Sequence, residues 1–537
     1  MPPLPPPPWA AHRYAGDPST SGSAHVPPPH GGGAGLPGPW APWLDGALTS
    51  LATAHLLREL RPVDPVAASS TTVSVPAAVL DAWVASVGVP PGPPGGVGWA
   101  AGPGVVSPNP TSVAVGRAPG VVVGGGGAGA AHHHHHHHHS GAPAPAPTPA
   151  LITLFSTNDY LGLSAHPAVR AAAAEAAAAV GCGPRASALV PGGYTAAAAA
   201  LEAGLAALKG TPACLLFSSG YAANAAVLAA LASGPGAAIF SDALNHASIV
   251  DGARLAARTG ASLVVYPHGD LAFLDAALGA APPGARKLVI TDSLFSMDGT
   301  FADLRGLVAL KRRHGCLVVV DEAHATLVCG PGGGGVAEAA GVSALIDVHV
   351  GTLSKAFGAH GGFACCSDGV RALLLNAGRA FAFSTALPAP AIAAAAAALR
   401  VATVTEPWRR QAVWAHTAAV GAALGDPPVD FAAARFGRVE SDFDPVSGAR
   451  LVRRAASSPI IPIILGSEAR ALAAGAALLA RWGLHVPAIR PPTVPAGTAR
   501  LRVSLSAAHT EGEVEGLVGA LRAEGLAPLV AVPGAKL

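Results

Sequence analysis

The segment Gly351-Thr352-Leu353-Ser354-Lys355-Ala356 places a lysine directly after a strand-like apolar run, Leu345 to Val350. A second run of this kind, Leu317-Val318-Val319-Val320, ends in Asp321-Glu322-Ala323-His324. Polar residues just past the carboxyl ends of parallel strands lie where open α/β sheets bind their ligands. The sequence therefore predicts that these polar side chains belong to one site.

A lysine after one strand and an aspartate at the end of another are the groups that pyridoxal phosphate (PLP) requires. The amine of Lys355 would form a Schiff base with the aldehyde of this cofactor. The carboxylate of Asp321 would keep the pyridine nitrogen protonated, so that the ring accepts electrons. The alternative for Asp321 is an ordinary helix N-cap after a strand.

Composition narrows the classes of partner. The chain has 537 residues, with 33 basic and 31 acidic side chains and a net charge of +2, so nucleic acid is not expected as a partner. Much of the hydrophobic content is alanine, and no run of about 18 strongly apolar residues occurs, so no transmembrane helix is expected. The six cysteines form no C-x-x-C framework, which favours reduced, buried thiols.

Changes in composition divide the chain into six predicted regions. They are a disordered Pro/Gly-rich tail at 1–40, an N-terminal helical arm at 41–88, a low-complexity insert at 89–149, a large PLP-binding domain at 150–390, a smaller C-terminal α+β domain at 391–527 with a loop insert at about 425–456, and a tail at 528–537. The arm begins with an amphipathic helix pattern at 42–62. The insert contains eight consecutive histidines, His132 to His139, among flexible Gly and Ala, so no physiological metal site is expected there.

From residue 151 onward, β-rich apolar runs alternate with Ala-rich helical runs, which is typical of a doubly wound, mostly parallel α/β domain. Five predicted strands are each followed by polar residues. These are Cys214–Phe217 before Ser218, Ser219 and Gly220, Ala237–Phe240 before Asp242 and His246, Lys287–Thr291 before Ser296, Leu317–Val320 before Asp321 and His324, and Leu345–Val350 before Thr352 and Lys355. Further predictions are helices near 390–423 and strands at Ile460–Leu465 and Ala499–Ser506, with a helix ending at Gly483 between those strands.

Ser219, Gly220 and Tyr221 open a predicted helix whose free backbone N–H groups and dipole suit a phosphate. Gly220 allows close approach of the backbone, although a plain strand-to-helix turn has the same sequence. Thr352 and Ser296 would add hydroxyl donors to that phosphate.

Two histidines are candidates for contact with the cofactor ring. An imidazole at His246 would stack on the pyridine, with a capping or core histidine as the alternative. His324 lies three residues after Asp321, so both side chains would reach one ligand, His324 through the phenolic oxygen of the cofactor.

Arg490 and Arg502 are candidates for binding a substrate carboxylate, because a planar guanidinium pairs with a carboxylate in a bidentate manner. The alternative for these arginines is a surface position. For Arg500 the surface position is the preferred interpretation.

These motifs together resemble the α-oxoamine synthases, PLP enzymes of aminotransferase fold type I, over about residues 151–424 and 458–527. The matching blocks are Asn158–Leu163, Phe217–Asn224, Asp242–Gly252, Phe295–Gly299, Val320–His324, Thr352–Lys355 and Phe383–Pro388. The resemblance implies that fold and a decarboxylative condensation of an amino acid with an acyl thioester. It also implies a homodimer with sites at the interface, where Ser384 and Thr385 reach the phosphate of the neighbouring subunit.

Within this family, Ile489–Pro495 resembles the biotin-pathway member, which joins L-alanine to a pimeloyl thioester of CoA or of a carrier protein. Thr291–Phe295 and Val73–Val84 resemble its plant form in particular. The resemblance implies that Lys355 removes the Cα proton of alanine. The substrate-binding residues that it implies are Arg502 for the carboxylate, with Arg490, Thr493, Asn158 and Arg58.

The chain departs from the family pattern in three places, and other functions stay open. Ala198 stands where a His is usual, Pro191–Gly193 is one residue longer, and Thr300 replaces a usual Asp. One alternative is another α-oxoamine synthase that uses glycine, such as glycine C-acetyltransferase or 5-aminolevulinate synthase. Serine palmitoyltransferase is disfavoured because no membrane anchor is found. A non-catalytic subunit of this fold is disfavoured because Lys355 is present.

The last three residues, Ala535-Lys536-Leu537, resemble the peroxisomal Ser-Lys-Leu address and the ending of the plant form. The sequence therefore predicts a peroxisomal enzyme, with the cytosol as the alternative.

Overall fold

The computed structural model describes residues 49, 63–66, 69–75, 77–85, 150–424, 452–453 and 458–526. The chain divides into two compact units between Arg61 and Pro62, and the elements given below lie in the second unit. The predicted tails and the low-complexity insert lie outside the described residues. So do the predicted helix at 42–62, apart from residue 49, and the loop insert at 425–456, apart from residues 452–453.

Fifteen strands occur in the described part of the chain. They are β1 (Asp64–Pro65), β2 (Thr72–Val75), β3 (Ala150–Leu154), β4 (Ala213–Phe217), β5 (Ala237–Asp242), β6 (Ser262–Tyr266), β7 (Arg286–Asp292), β8 (Leu317–Asp321), β9 (Val348–Thr352), β10 (Gly362–Cys366), β11 (Val452–Arg453), β12 (Ile460–Gly466), β13 (Leu484–His485), β14 (Ala488–Ile489) and β15 (Ala499–Ser504).

Helices connect and flank these strands. They are α1 (Ala77–Ala85), α2 (Pro167–Val180), α3 (Ala196–Lys209), α4 (Gly220–Leu231), α5 (Ala247–Ala257), α6 (Leu271–Ala280), α7 (Leu304–His314), α8 (Val336–Ala339), α9 (Asp368–Ala377), α10 (Arg379–Ala382), α11 (Ala389–Arg400), α12 (Trp408–Ala423), α13 (Glu468–Trp482) and α14 (Glu511–Ala523). A 3₁₀ turn covers Ser343–Leu345, and a π-helical turn covers Val401–Thr405 between α11 and α12.

The largest sheet has seven strands in the order β4-β10-β9-β8-β7-β5-β6. Strands β5 to β9 run parallel to one another, and β10 runs antiparallel to both β9 and β4. Strand β4 therefore points the same way as the parallel set, and the carboxyl ends of six strands lie at one edge. The prediction of a doubly wound, mostly parallel α/β domain is confirmed.

The central strands are almost wholly apolar because both faces of the sheet are covered. Alternate residues of one strand enter separate cores, as the two-residue period of a strand requires. In β8, Val318 and Val320 face the core that is shared with α3, α7 and α11, whereas Val319 faces the core under α4 and α5. Helices thus pack on both sides of the sheet and leave its carboxyl edge for a ligand site.

Two four-stranded sheets complete the fold. One has the order β11-β12-β15-β14 and is antiparallel, and α13 packs on it. The helix α13 ends at Gly483, whose φ of 64° is the left-handed conformation that glycine favours at a helix C-terminus. The other sheet has the order β1-β2-β3-β13. In it β3, which the predicted boundary at residue 150 assigns to the large domain, pairs with β2 of the arm and β13 of the C-terminal region.

Among the described residues, no single helix is long and apolar enough to cross a membrane. Ala389–Thr405 and Trp408–Ala423 meet the length and hydropathy criteria only as a pair, which is bent by 77°.

Candidate active site

Four acidic or hydroxyl residues end the central strands at the same edge of the large sheet. Asp242 closes β5, Asp292 closes β7, Asp321 closes β8 and Thr352 closes β9, and each of these residues is at most 5% exposed. Lys355 follows β9 within three residues. The parallel arrangement of these strands therefore gathers the predicted lysine and aspartate at one place.

Lys355 is a cation whose surroundings disfavour its charge. Burial lowers the pKa of the Lys355 amine to about 8, although Asp321 and Asp292 act in the opposite direction and Arg502 adds to the decrease. The amine is therefore partly unprotonated near neutral pH, which a nucleophile or a base needs.

Asp321 is held by two hydrogen bonds in a position that is 5% exposed. Its Oδ2 accepts from Nδ2 of Asn224 at 2.6 Å, and its Oδ1 accepts from the backbone N–H of Ala323 at 2.8 Å. Sequence reasoning quoted Asn224 within a matching block but gave it no role. Its position one helical turn after Gly220, in a helix that starts at the site edge, was the available signal.

A second carboxyl group, Asp292, was also missed by sequence reasoning. Burial raises the pKa of Asp292 well above its ordinary value, and the neighbouring Asp321 charge raises it further. Its Oδ2 accepts from the backbone N–H of His246 at 2.7 Å, and its own backbone N–H donates to Asn245 Oδ1 at 2.9 Å. Asp292 therefore fixes the backbone that carries His246.

His246 is the N-cap of α5, which agrees with the alternative prediction of a capping histidine. The same residue also borders the site. Its Nδ1 accepts from the backbone N–H of Ser248 at 3.2 Å and lies 2.7 Å from the Ser248 hydroxyl. Desolvation lowers the pKa of the His246 imidazole, with Asp321 acting in the opposite direction and Lys355 lowering it further. The ring of Tyr221 meets the imidazole edge-on, with centroids 6.4 Å apart.

His324 is buried and joined to the arginine predicted to bind carboxylate. Burial lowers the pKa of His324 well below its ordinary value, and the charges of Lys355 and Arg502 lower it further. The Tyr160 hydroxyl lies 2.7 Å from His324 Nδ1 and 3.4 Å from a terminal nitrogen of Arg502. The guanidinium only donates, so the tyrosine hydroxyl accepts from Arg502, and its bond to Nδ1 ties the imidazole of His324 to that arginine. Tyr160 had no assigned role in the sequence reasoning.

Arg502 is 4% exposed, and each of its hydrogen-bond partners among the described residues is neutral. Its Nε donates to the Ser296 carbonyl. Its terminal nitrogens donate to Ser504 Oγ at 2.8 Å, Asn158 Oδ1 at 3.2 Å and the Tyr160 hydroxyl. A buried guanidinium that lacks an anion is costly, so this side chain is suited to a carboxylate from a ligand.

The preferred surface position for Arg500 is wrong. Arg500 is 3% exposed and donates to Asp298 Oδ1 at 2.8 Å and to the Met297 carbonyl at 3.1 Å. Arg500 lies in β15 between β12 and β14, and the turn at Met297–Asp298 covers its side chain. The ion pair anchors the turn next to Ser296.

The start of α4 forms a narrow cradle beside β9 and β10. The Ser219 hydroxyl caps the helix by accepting from the Ala222 N–H at 3.1 Å. A Cβ placed on Gly220 would lie 3.2 Å from Cβ of Thr352, and one on Gly362 would lie 2.3 Å from the Ser219 backbone. The two glycines therefore permit a close approach of backbone that suits a phosphate at a helix N-terminus.

The other predicted residues are spread around this centre. Thr385 is exposed and, with Ser384, lines a separate small cavity beside Tyr194 and Ala198. Arg490 is half-buried and Thr493 exposed in the turn after β14, where the Thr493 N–H donates to the Arg490 carbonyl at 3.0 Å. Arg58 lies outside the described residues.

Two of the departures from the family pattern have local partners in the structure. Ala198 is buried in α3, and the nearby Glu202 accepts from the Tyr194 hydroxyl at 2.7 Å and from Arg371 at 3.2 Å. The Thr300 hydroxyl lies 3.1 Å from Nε2 of His268, whose Nδ1 lies 3.0 Å from Asp242. Thr300 therefore takes part in hydrogen bonding at its position, whereas Ala198 is packed in the core beside the hydrogen-bonded Glu202.

These residues fit PLP on three structural grounds. A lysine with a lowered pKa lies within electrostatic reach of a buried, hydrogen-bonded aspartate. A glycine-lined helix N-terminus is present for the phosphate, and a buried guanidinium without an anionic partner among the described residues is present for a substrate carboxylate.

Comparison with known proteins supports the same interpretation over most of the chain. The family model described as aminotransferase class I and II matches residues 151–521. An 8-amino-7-oxononanoate synthase from Arabidopsis thaliana is 46% identical over 384 residues, which cover 69% of this chain and 74% of the relative. An 8-amino-7-oxononanoate synthase from Anaeromyxobacter dehalogenans is 53% identical over 380 residues, which cover 70% of this chain and 86% of the relative.

A solved structure has the same fold. Serine palmitoyltransferase from S. paucimobilis, with a bound PLP–myriocin aldimine, superposes with a TM-score of 0.62 at 32% identity. The match covers 70% of this chain and 89% of that one.

Proposed function

The chain belongs to the 8-amino-7-oxononanoate synthases of the class I and II aminotransferase family, and from this membership we propose that it joins L-alanine to a pimeloyl thioester. The products are 8-amino-7-oxononanoate, CO2 and the free thiol, which is a step of biotin biosynthesis. The enzyme is a PLP-dependent C-acyltransferase. The observation that carries the proposal is the buried Arg502, which meets only neutral oxygens in the described chain and is suited to the alanine carboxylate.

The residues that would hold the cofactor come from several elements of the large sheet. The start of α4, with Ser219 and Gly220, and Thr352 of β9 would hold the phosphate. Asp321 would face the pyridine nitrogen, and His246 would border the ring. PLP, when bound, supplies an electron-accepting ring that stabilises negative charge at the Cα atom of an attached amino acid.

Lys355 is the residue that moves the proton. With a pKa of about 8, its amine takes the Cα proton from alanine and later returns a proton to the same carbon. Between these events a bond forms from Cα to the acyl carbon, the thiol leaves with a proton, and the carboxyl group leaves as CO2. The atoms of alanine and the thioester are thereby all accounted for in the three products.

Arg502 and its neighbours orient the substrate. The guanidinium is held by Ser296, Ser504 and Asn158, so the N–H group that is left for a ligand points in a fixed direction. Tyr160 connects Arg502 to Nδ1 of His324, and Nε2 of His324 would donate to the cofactor oxygen.

A product assay with two amino acids and two acyl donors tests this function. The purified enzyme and its Lys355→Ala variant would be incubated with L-alanine or glycine and with pimeloyl-CoA or the pimeloyl carrier protein. The products would be identified by mass spectrometry. We expect 8-amino-7-oxononanoate from the parent with alanine and none from the variant. A parent that forms product only with glycine would belong to another condensing activity of the fold, and the two donors report which thioester is used.

We propose further that the enzyme is a homodimer whose sites lie at the interface. Support comes from an apolar surface formed by Leu189, Val190, Tyr194 and Phe383, all at least 41% exposed, beside the exposed Thr385. The Ser187 hydroxyl donates to the Ala382 carbonyl at 2.9 Å and the Ala386 N–H donates to the Ala186 carbonyl at 3.0 Å, so the two loops that carry this surface adjoin.

We propose the peroxisome as the location of the enzyme, on the basis of Ala535-Lys536-Leu537. A fluorescent protein followed by the last ten residues, expressed in a plant cell, tests this. Co-localisation with a peroxisomal marker is expected, and loss of it when the three residues are deleted. A diffuse signal from the intact fusion would favour the cytosol.

A further inference from the structure

We propose that Asn224 is a positioning residue that, through Ser248, ties the Asp321 carboxylate to the His246 imidazole. Both connecting side chains are enclosed in the core between α4 and α5, with 1% and 0% of their surface exposed. The proposal rests on the proposed function only in that Asp321 and His246 are taken as cofactor-binding groups.

The connection is a continuous set of short hydrogen bonds. Nδ2 of Asn224 donates to Asp321 Oδ2 at 2.6 Å and to Ser248 Oγ at 2.9 Å. Ser248 Oγ lies 2.7 Å from Nδ1 of His246, and the Ser248 N–H also donates to that nitrogen. The chain therefore starts at the residue predicted for the pyridine nitrogen and ends at the residue predicted for the ring face.

The direction of every bond follows from the donors that are available. Asn224 has two amide hydrogens, and its two acceptors use both of them. Nδ1 of His246 accepts from the Ser248 N–H at 3.2 Å, so the Ser248 hydroxyl donates to it as well. At 2.7 Å the bond from the hydroxyl is the shorter of the two that keep Nδ1 unprotonated. The imidazole proton is therefore on Nε2, the nitrogen farther from the backbone.

The carbonyl oxygen of Asn224 supports this orientation. Oδ1 is buried and has no hydrogen-bond partner among the residues that the structure describes. Exchanging the amide nitrogen and oxygen of Asn224 by rotation would place its oxygen against the Asp321 carboxylate, which would replace a hydrogen bond by a repulsion between two acceptors. The amide is therefore held by its donor side, and an unsatisfied buried acceptor is tolerated in exchange for the two donated bonds.

Two consequences follow for the site. Asp321 receives a donor that fixes the plane of its carboxylate, as the partner of a pyridinium requires. His246 is restricted to one tautomer, so its ring presents the same edge at all times. Asn224 and Ser248 act only through Asp321 and His246 and are not themselves ligands of the substrate or the cofactor.

Two readouts that need no acyl donor test the proposal. The first is the dissociation constant of PLP, from absorbance titration of the cofactor-free enzyme. The second is the ring ¹⁵N chemical shifts of His246 in the cofactor-free enzyme, assigned with a His246→Gln variant. The variants are Asn224→Leu, Ser248→Ala and Ser248→Thr, with Thr417→Ala as a control that removes an equally buried hydroxyl from α12.

We expect Asn224→Leu to weaken PLP binding about tenfold. It should raise the share of the Nδ1–H tautomer of His246 less than Ser248→Ala does, because the Ser248 hydroxyl stays but loses the bond from Asn224 that orients it. Ser248→Ala should raise the share of the Nδ1–H tautomer, because only the longer bond from the backbone N–H then keeps Nδ1 unprotonated. The PLP dissociation constant should stay within about twofold of the parent, because the bond from Asn224 to Asp321 remains. Ser248→Thr should restore the parental spectrum.

If Asn224→Leu does not fold, the comparison of Ser248→Ala with Ser248→Thr still tests the proposal. A parental His246 spectrum in Ser248→Ala would overturn the proposal, and so would parental PLP affinity in a folded Asn224→Leu. Failure of the enzyme to use a pimeloyl thioester would alter neither readout.

Discussion

Lys355 and Arg502 are two cations of one site, and the protein treats their charges in opposite ways. At Lys355, desolvation outweighs the attraction of Asp321 and Asp292, so its pKa falls to about 8 and the proton becomes mobile. The guanidinium of Arg502 is surrounded by neutral oxygens in the described chain, so its charge has no protein anion beside it there. One residue is therefore suited to transfer protons and the other to bind an anion.

The lowered pKa of Lys355 predicts how the stability of the cofactor-free enzyme depends on pH. Its ordinary pKa is 10.5 and its folded pKa about 8, so burying the charged amine costs stability below about pH 8. The cost diminishes as pH rises from about 8 to 10.5, because the folded protein then holds fewer protons than the unfolded chain. Lys355→Met should therefore exceed the parent in free energy of unfolding near pH 7, and the difference should shrink toward pH 10.

Denaturant unfolding of both proteins at several pH values measures this difference. Lys287→Met, which removes a lysine from the opposite end of β7, serves as the control and should show no such trend. An advantage of Lys355→Met that stays constant from about pH 7 to 10 would contradict the lowered pKa.

Arg502→Gln should weaken the use of alanine and leave the use of the thioester nearly unchanged. A hydrogen bond to a charged group contributes about 1.5–3 kcal/mol, so the KM for L-alanine should rise about ten- to a hundredfold. Steady-state kinetics with each substrate varied in turn measure this. Arg481→Gln, which removes an exposed partner of Glu524, is the control. A variant whose KM rises for the thioester alone would show that Arg502 binds the acyl chain instead.

Side chains next to a motif could be predicted from the sequence, but side chains that support them from a distance could not. Lys355, Asp321 and His324 stand in recognisable strings at strand ends. Asn224 reaches Asp321 across 97 positions, and Arg500 reaches Asp298 across 202, so only the folded chain shows these contacts. Arg500 was placed on the surface because nothing near it in the sequence signals an acidic partner.

At the scale of elements, α4 serves two groups of the site with one helix. Its first turn, at Gly220, adjoins Thr352, and its second turn carries Asn224 below Asp321. A shift of this helix along its axis would therefore disturb the phosphate cradle and the aspartate together. The loop from β4 to α4 packs directly against β10, and it can do so because Gly362 of β10 has no side chain.

Gly220→Ala should weaken the binding of PLP more than that of pyridoxal, which lacks the phosphate. The new Cβ would lie 3.2 Å from Thr352 Cβ and 3.4 Å from the Gly351 carbonyl, so the cradle must widen by a few tenths of an ångström. We expect about a tenfold rise in the dissociation constant of PLP and little change for pyridoxal, both measured by absorbance titration.

Gly369→Ala in α9 is the matched control, because a Cβ there meets no atom within 4 Å. It should bind both ligands as the parent does. Equal losses for PLP and pyridoxal in Gly220→Ala would argue that the helix start contacts the ring rather than the phosphate.

Five strands of the large sheet were predicted within a few residues, whereas two strands of that sheet were not predicted although each contains an apolar run. Strand β8 was expected at Leu317–Val320 and ends one residue later. Strand β6 (Ser262–Tyr266) lies at the sheet edge and is only partly buried, and β10 (Gly362–Cys366) runs against its neighbours. Pairing direction is a property of the assembled sheet, so a single run of residues cannot indicate it.

At the scale of the whole molecule, the large sheet separates two cores, and only one of them continues into the C-terminal region. The core over α3, α7 and α11 extends to Ile461 of β12 and Leu501 of β15, whereas the core under α4 and α5 is confined to the large sheet. The smaller sheet therefore brings Arg502 to the site from the side of the larger core. Its position relative to Lys355 depends on packing between regions that are distant in sequence, which local patterns do not encode.

The last prediction concerns the apolar surface around Phe383. This side chain is 77% exposed, with the Arg379 guanidinium 4.8 Å from its ring centroid, and Leu189 and Val190 beside it are each 51% exposed. Exposed large apolar side chains that lie on adjoining loops are typical of an interface, so we expect a second copy to cover them. Phe383→Asp should place a charge in that interface and weaken association at least about a hundredfold, by roughly 3 kcal/mol.

Sedimentation velocity and activity, both measured against protein concentration, test this expectation together. The parent should sediment as a dimer throughout. Phe383→Asp should become monomeric and inactive on dilution, and regain activity when concentrated, because Thr385 beside the patch is expected to complete the site of the partner. Phe273→Asp, which changes a Phe that is 45% exposed on α6, should leave both properties unchanged. An active monomer of the parent would exclude a shared site, since every catalytic group would then come from one chain.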